Sequence, residues 1–116
     1  MPLDSVGFLT GVVADLVAGR DYIKRNGWCQ KQSRDGMRVC AYGGIFAVIG
    51  GHACIGGGAD ADRRDGACRA LQGALNAKLQ SSDKLVPPWN DEAGRTISDV
   101  LDLYDLAIER ELSHLR

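Results

Sequence analysis

Residues 27–44 read GWCQKQSRDGMRVCAYGG, and this stretch decides the fold. Its first part is too short and too polar for a helix. Trp28, Gln30 and Gln32 alternate with Cys29 and Lys31, as side chains do along an extended strand. Arg34-Asp35-Gly36 is a turn signal. Met37 and Val39 then alternate with Arg38 and Cys40. The pattern predicts a short β-hairpin or two extended arms. An isolated hairpin is marginal in water, so this one has to pack on helices. From Ala41 the pattern changes. Ala41–Gly51 is apolar nearly all round, with Tyr42, Ile45, Phe46, Val48 and Ile49. Such a run is a central helix or a buried strand. A helix is preferred, because the chain has no second strong strand to pair with it. The 27–44 stretch is therefore an elbow between a preceding helix and a core helix.

Toward the N-terminus, Leu9, Val12, Val13, Leu16, Arg20 and Ile23 recur at three and four, widened by Phe8 and Val17. They predict an amphipathic helix from about Ser5 to Arg25, with Asp4 and Ser5 as N-caps. Gly7, Gly11 and Gly19 each weaken it by up to ~1 kcal/mol relative to Ala. Asn26-Gly27 stops it, since both residues tolerate a left-handed C-cap.

Toward the C-terminus, Gly50–Asp60 is a glycine-rich connector. It has no G-K-[ST] ending and no G-x-G-x-x-G after a strand, so a phosphate-binding loop is disfavoured. Asp60 or Asp62 caps a helix through about Gln80, with an apolar stripe of Cys68, Leu71, Leu75 and Leu79. Asp60, Asp62 and Asp65 only faintly echo a calcium loop and lack its final Glu. Residues 81–95 read as a loop in which Val86 and Pro87, each followed by proline, are extended. Thr96 opens the last helix, with Asp99 three residues on in a capping-box arrangement. Ile97, Leu101, Tyr104, Ile108, Leu112 and Leu115 form its stripe, widened by Val100, Leu103 and Ala107. The expected fold is mainly α: a single domain over residues 1–116, a four-helix array with a short β-hairpin or extended segment between helices 1 and 2.

Composition agrees. The chain has 116 residues, 45% hydrophobic and 25% charged, with a net charge of −1. A chain this long buries roughly two thirds of its unfolded surface, enough for one core. The overall charge provides no strong field for nucleic acid or an anionic membrane, and Arg63-Arg64 sits between Asp62 and Asp65. The N-terminus lacks a basic region and is interrupted by Asp4 and Asp15, unlike a signal peptide. No run approaches the ~18 apolar residues of a membrane span. A cytoplasmic protein is expected, with no nucleic-acid or membrane partner, and with homodimerisation open.

Three candidate sites follow. The first is Cys40 as a nucleophile. It sits where an extended arm enters a helix, whose N-terminus favours thiolate. His52 and then Asn90 or Asp91 follow in the order of a Cys-His-Asn enzyme, but triads are recognised by geometry. A helix over 41–51 would hold Cys40 and His52 about 18 Å apart, at ~1.5 Å per residue. The second is a metal site from His52 and Cys54 with Cys40 or Cys68. Cys29, Cys40, Cys54 and Cys68 form no C-x-x-C pair, so no metal and no cofactor is expected, and the cysteines read as reduced, buried small hydrophobes. The third is a pocket that binds a protein or a small polar ligand, built from Trp28, Gln30, Arg38, Trp89, Asn90, Asp91, Arg95 and Thr96. The same residues also have structural uses. Asp91 can pair with Arg38 or Arg95, Asn90 or Thr96 can cap the last helix, and the tryptophans can seal the core edge.

The combination Gly27-Trp28-x-Gln30, then Val39-Cys40-Ala41-x-Gly43, then Trp89-Asn90-Asp91 with Arg95-Thr96 resembles a domain-of-unknown-function family of short bacterial and phage proteins. The resemblance covers most of the chain and implies no activity. Its matching positions are Trp28, Gln30, Arg38, Cys40, Gly43, Trp89, Asn90, Asp91, Arg95 and Thr96, and neither histidine is among them. Gly44 and the insert at Gly50–Gly58 depart from its pattern. The reading of this chain is a small binding or regulatory module, with a Cys40-dependent hydrolase or transferase as the alternative.

Overall fold

The computed structural model describes residues 11–49 and 58–114. Within them the order is α1 (Gly11–Asn26), β1 (Arg34–Asp35), β2 (Arg38–Val39), α2 (Ala41–Ile49), α3 (Gly58–Leu79), α4 (Val86–Asn90) and α5 (Ile97–His114). The mainly helical architecture and the hairpin between the first two helices are as the patterning predicts. The start of the first helix, residues 50–57 of the glycine-rich connector, His52 and Cys54 lie outside the described residues; residues 58–60, expected as the end of the connector, already belong to α3, which begins before either expected aspartate cap. Among those described, no helix is long and apolar enough to cross a membrane.

Helix α1 buries Val13, Leu16, Gly19 and Ile23. It ends where expected: Gly27 takes φ +100° and donates its amide to Ile23 O at 2.8 Å, so a left-handed glycine closes the last turn. The chain then turns into the hairpin. β1 and β2 pair antiparallel, with Arg34 opposite Val39 and Asp35 opposite Arg38. On its other side β2 meets the residues after α1: Cys29 N–H donates to Val39 O at 3.0 Å, and Val39 N–H to Gly27 O at 3.3 Å. Val39 is buried beneath them.

Helix α2 crosses α1 backbone to backbone. A Cβ on Gly44 would lie 2.7 Å from Gly19 O, and one on Gly19 would lie 3.2 Å from Gly44 C and Ile45 N. Two glycines that weaken their helices locally thus allow the two backbones to touch. Tyr104 of α5 reaches the same crossing. It is fully buried, its hydroxyl donates to Ala41 O, and the Ile45 amide approaches the phenol oxygen. Burial of the ring pushes its pKa well up.

Three sequence expectations change. Residues 86–90 form a helical turn where a loop was expected. Leu85, at φ −83° and ψ 155°, is the extended residue, and Val86 already belongs to the first turn. Prolines suit that turn because its amides lack intrahelical partners. Val86 N–H donates instead to Gln72 Oε1 at 3.0 Å, while Gln72 Nε2 donates to Lys84 O at 2.9 Å. The buried face of α5 is Val100, Leu103, Tyr104, Ala107 and Ile108; Ile97 is exposed and Leu101 half-buried. In α3 the buried face runs through Ala67, Leu71, Ala74 and Leu75, and Leu79 is exposed. Both faces keep the large residues of the expected stripes, Leu71 and Leu75 in α3 and Tyr104 and Ile108 with Leu103 in α5, and leave exposed those toward the helix ends, Leu79 and Ile97.

Gly44→Ala is expected to destabilise the fold by about 1–3 kcal/mol, since the methyl must displace backbone. Gly73→Ala, whose Cβ would meet nothing within 4 Å, is expected to raise stability by about 0.5–1 kcal/mol. Urea unfolding of the two variants beside the parent checks both signs.

Candidate functional site

The elbow and α4 meet at one side chain. Asn90 is buried. Its Oδ1 accepts from Trp28 Nε1 at 2.6 Å and from the Ala41 amide at 2.9 Å. Its Nδ2 donates to Cys29 O at 3.2 Å and to Asp91 Oδ1 at 3.0 Å. An indole and an amide N–H can only donate; a carbonyl and a carboxylate here only accept. The orientation of the carboxamide is therefore determined by its partners, and its hydrogen-bonding capacity is filled. Three further bonds close the junction. Gln30 Nε2 donates to the carbonyls of Asn90 and Glu92, each at 2.9 Å. The Lys31 amide donates to Asp91 Oδ1 at 2.6 Å. Lys31 takes φ 69°, which turns the elbow toward Asp91.

Trp28, Gln30, Asn90 and Asp91 thus come together and satisfy one another. The other residues of the candidate set lie around them. Trp89 is buried in the core, with the Arg95 guanidinium 4.1 Å from its ring centroid, a cation–π contact. Arg95 Nε donates to Trp89 O at 2.9 Å, and its head pairs with Glu92 and Asp99. Asp91 pairs with neither Arg95 nor Arg38. Thr96 and Asp99 form the expected reciprocal cap of α5: Asp99 N–H donates to Thr96 Oγ1 at 3.2 Å and Thr96 N–H to Asp99 Oδ2 at 3.0 Å. That contact holds the Asp99 carboxyl below its ordinary pKa. Arg38 lies apart from the Asn90 junction, in the hairpin, paired with Asp35.

Asn90 also caps a helix, but not the last one. The Ala41 amide is the first of α2, one of the donors that a helix leaves unpaired. Cys40 stands in the N-cap position beside it, and the amides of Tyr42 and Gly43 point to its sulfur. Those amides favour thiolate, yet burial outweighs them and raises the Cys40 pKa from its ordinary 9.0. Burial also raises Cys29, and pushes Cys68 up to about 12. Among the described residues, no group of three or more His, Cys, Asp or Glu could hold a metal ion.

One face of the junction is open. A cavity of about 280 Å³ is lined by Lys31, Gln32 and Ser33 on the elbow, Cys40, Tyr42 and Phe46 on α2, and Pro87 and Asp91 on α4. Tyr42 and Phe46 meet edge to face, 6.5 Å between centroids. Tyr42 and Phe46, expected in the core from the apolarity of α2, are half-buried and line this cleft. The signal available was the all-round apolarity of α2, whose flank at Tyr42 and Phe46 is only half-buried among the described residues.

The arrangement is that of a small helical protein with a cross-tied elbow and a shallow, largely apolar cleft beside it. This chain belongs to the Family of unknown function (DUF6197), whose model matches residues 9–110. No curated protein and no solved structure matches it.

Asn90→Ala is expected to lose about 2–4 kcal/mol, because it strands the Trp28 indole and the Ala41 amide. A loss below ~1 kcal/mol in denaturant unfolding would contradict the junction. The thiols yield a second expectation. Their folded pKa values exceed the ordinary 9.0, so the stability they contribute is complete below that pH and is lost as pH rises through the folded values. Thermal melts should stay level to about pH 9 and then fall. Alkylation of the native protein at neutral pH should be slower than that of a free cysteine peptide.

Proposed function

We propose that this chain is a binding module, and that its binding surface is the cleft between Lys31–Ser33, the first turns of α2, and Pro87–Asp91. The observation that carries this reading is the contrast within the elbow junction. Trp28, Gln30, Asn90 and Asp91 spend their hydrogen bonds on one another, while Tyr42 and Phe46 line open space beside them. The latch positions the cleft, and the cleft is the part with capacity for a ligand.

Its volume, about 280 Å³, is at the lower edge of small-molecule clefts, which run from roughly 300 to 1,000 Å³. That suits one planar ring or one inserted side chain better than a nucleotide. The apolar floor of Tyr42, Phe46 and Pro87 supplies burial; Lys31, Gln32, Ser33 and Asp91 supply polar contacts at the rim. The raised pKa of Cys40 supports binding over nucleophilic chemistry, because a protonated thiol is a poor nucleophile.

The test is a titration of phenyl- and indole-bearing fragments followed by backbone amide shifts. Shifts should cluster at Lys31, Gln32, Ser33, Tyr42, Phe46 and Asp91 and vanish in Ser33→Phe, which fills the cleft from an exposed position. The Trp28 indole resonance should stay in place throughout. Shifts scattered over the surface, or none with the fold intact, would reject the reading.

A further inference from the structure

The net charge of −1 conceals a strong segregation. Residues 24–38 contain Lys24, Arg25, Lys31, Arg34 and Arg38 against Asp35 alone, a net of +4. The rest of the chain therefore carries −5. Helix α5 holds much of that, with five acids against Arg110. All five basic residues are exposed. Of these five, only Arg38 forms an ion pair with a described acid, Asp35.

The fold gathers four of these residues, Lys24, Arg25, Arg34 and Arg38, at one end, while Lys31 stands at the rim of the cleft. Tyr22 of α1 donates its hydroxyl to Met37 O at 3.0 Å, which fastens the hairpin tip to the last turns of that helix. The Arg38 side chain lies on Gly27, where a Cβ would meet its Cγ at 2.8 Å. Lys24 and Arg25 occupy the last turn of α1, directly before that glycine. They also complement the helix dipole there, but that accounts for neither arginine of the hairpin. Met37 stands at the tip between Arg34 and Arg38 and is 58% exposed. β2, tied on both sides, presents this turn on a firm base.

We propose that this hairpin end docks an acidic segment of a partner protein, with Met37 as the apolar contact and Arg34 and Arg38 as the charged rim. It is a second surface, independent of the cleft. Arginine and methionine are enriched in protein interfaces, where an apolar centre is ringed by polar groups. A nucleic acid is the weaker match. Phosphates need no apolar centre, and single strands stack on exposed rings, whereas the rings nearest the hairpin are engaged: Tyr22 with Met37 O and Trp28 with Asn90. The acidic remainder of the chain orients the molecule, so that this end leads toward an anionic partner.

The experiment uses the whole chain and a fluorescein-labelled, Glu-rich synthetic peptide carrying one Phe per helical turn, read by anisotropy. The peptide should bind, and its affinity should fall at least about tenfold from ~0.05 M to ~0.5 M salt, as charges become screened. Arg34→Gln with Arg38→Gln should weaken it at least as much. Met37→Ser should weaken it several-fold while leaving the salt dependence unchanged. Should the double variant unfold, as circular dichroism would reveal, Lys24→Gln with Arg34→Gln serves the same purpose. Three results overturn the proposal: no peptide binding by the folded protein; a DNA duplex binding tighter than the peptide with Met37→Ser without effect; or low-salt self-association in sedimentation, abolished by the arginine variant, which would make a second copy the occupant.

Discussion

The structure depends on a single buried carboxamide. Asn90 joins the elbow, the first amide of α2 and the end of α4 through four hydrogen bonds from one side chain. A buried amide is costly unless all its polar atoms are paired, and here they are. That requirement makes the junction specific. The indole of Trp28 and the amide of Ala41 must converge on one oxygen, while Cys29 O and Asp91 must converge on the nitrogen. An elbow shifted by one residue would take the Trp28 indole from Asn90 Oδ1 and leave a buried acceptor short of a donor. The position of α2 relative to the hairpin is thus set by polar complementarity as much as by apolar burial.

A second constraint sets the depth of α2. Gly19 and Gly44 allow the helix backbones to touch, and Tyr104 closes the third side. Close approach leaves little surface on that flank, so α2 buries Ala41, Gly44, Ile45 and Ile49 inward. The opposite flank, with Tyr42 and Phe46, remains part-exposed and forms the floor of the cleft. The two constraints act together: the carboxamide holds the N-terminus of α2, and the glycine crossing holds its body. The cleft is what remains between them.

Charge follows a different logic. The hairpin was the least regular part of the sequence pattern, and its charges look scattered when read along the chain. Folding brings the last turn of α1 beside the hairpin through Tyr22 and Gly27. Nearby like charges then sum into one positive end. Such an arrangement lowers stability slightly by repulsion, and no described acid other than Asp35 offsets it by a direct ion pair.

Local sequence specifies α1, α2, α3 and α5, the hairpin turn, the Asn26-Gly27 stop and the Thr96–Asp99 cap. These are local: each depends on residues within about one or two turns, and periodicity or side-chain chemistry specifies them directly. It also singled out Trp28, Gln30, Asn90 and Asp91, because polar residues flanking tryptophans at element ends need partners. Who those partners are is settled by packing. Trp28 and Asn90 are 62 residues apart, and Asn90 and Ala41 are 49 apart, and no pattern along the chain encodes a contact over such distances. The same holds for the helical turn at Val86, stabilised by Gln72, and for the exposure of Leu79 and Ile97 at the ends of their stripes. Local propensity specifies which segments form; the pairing of buried polar groups and the closeness of backbones specify how they meet.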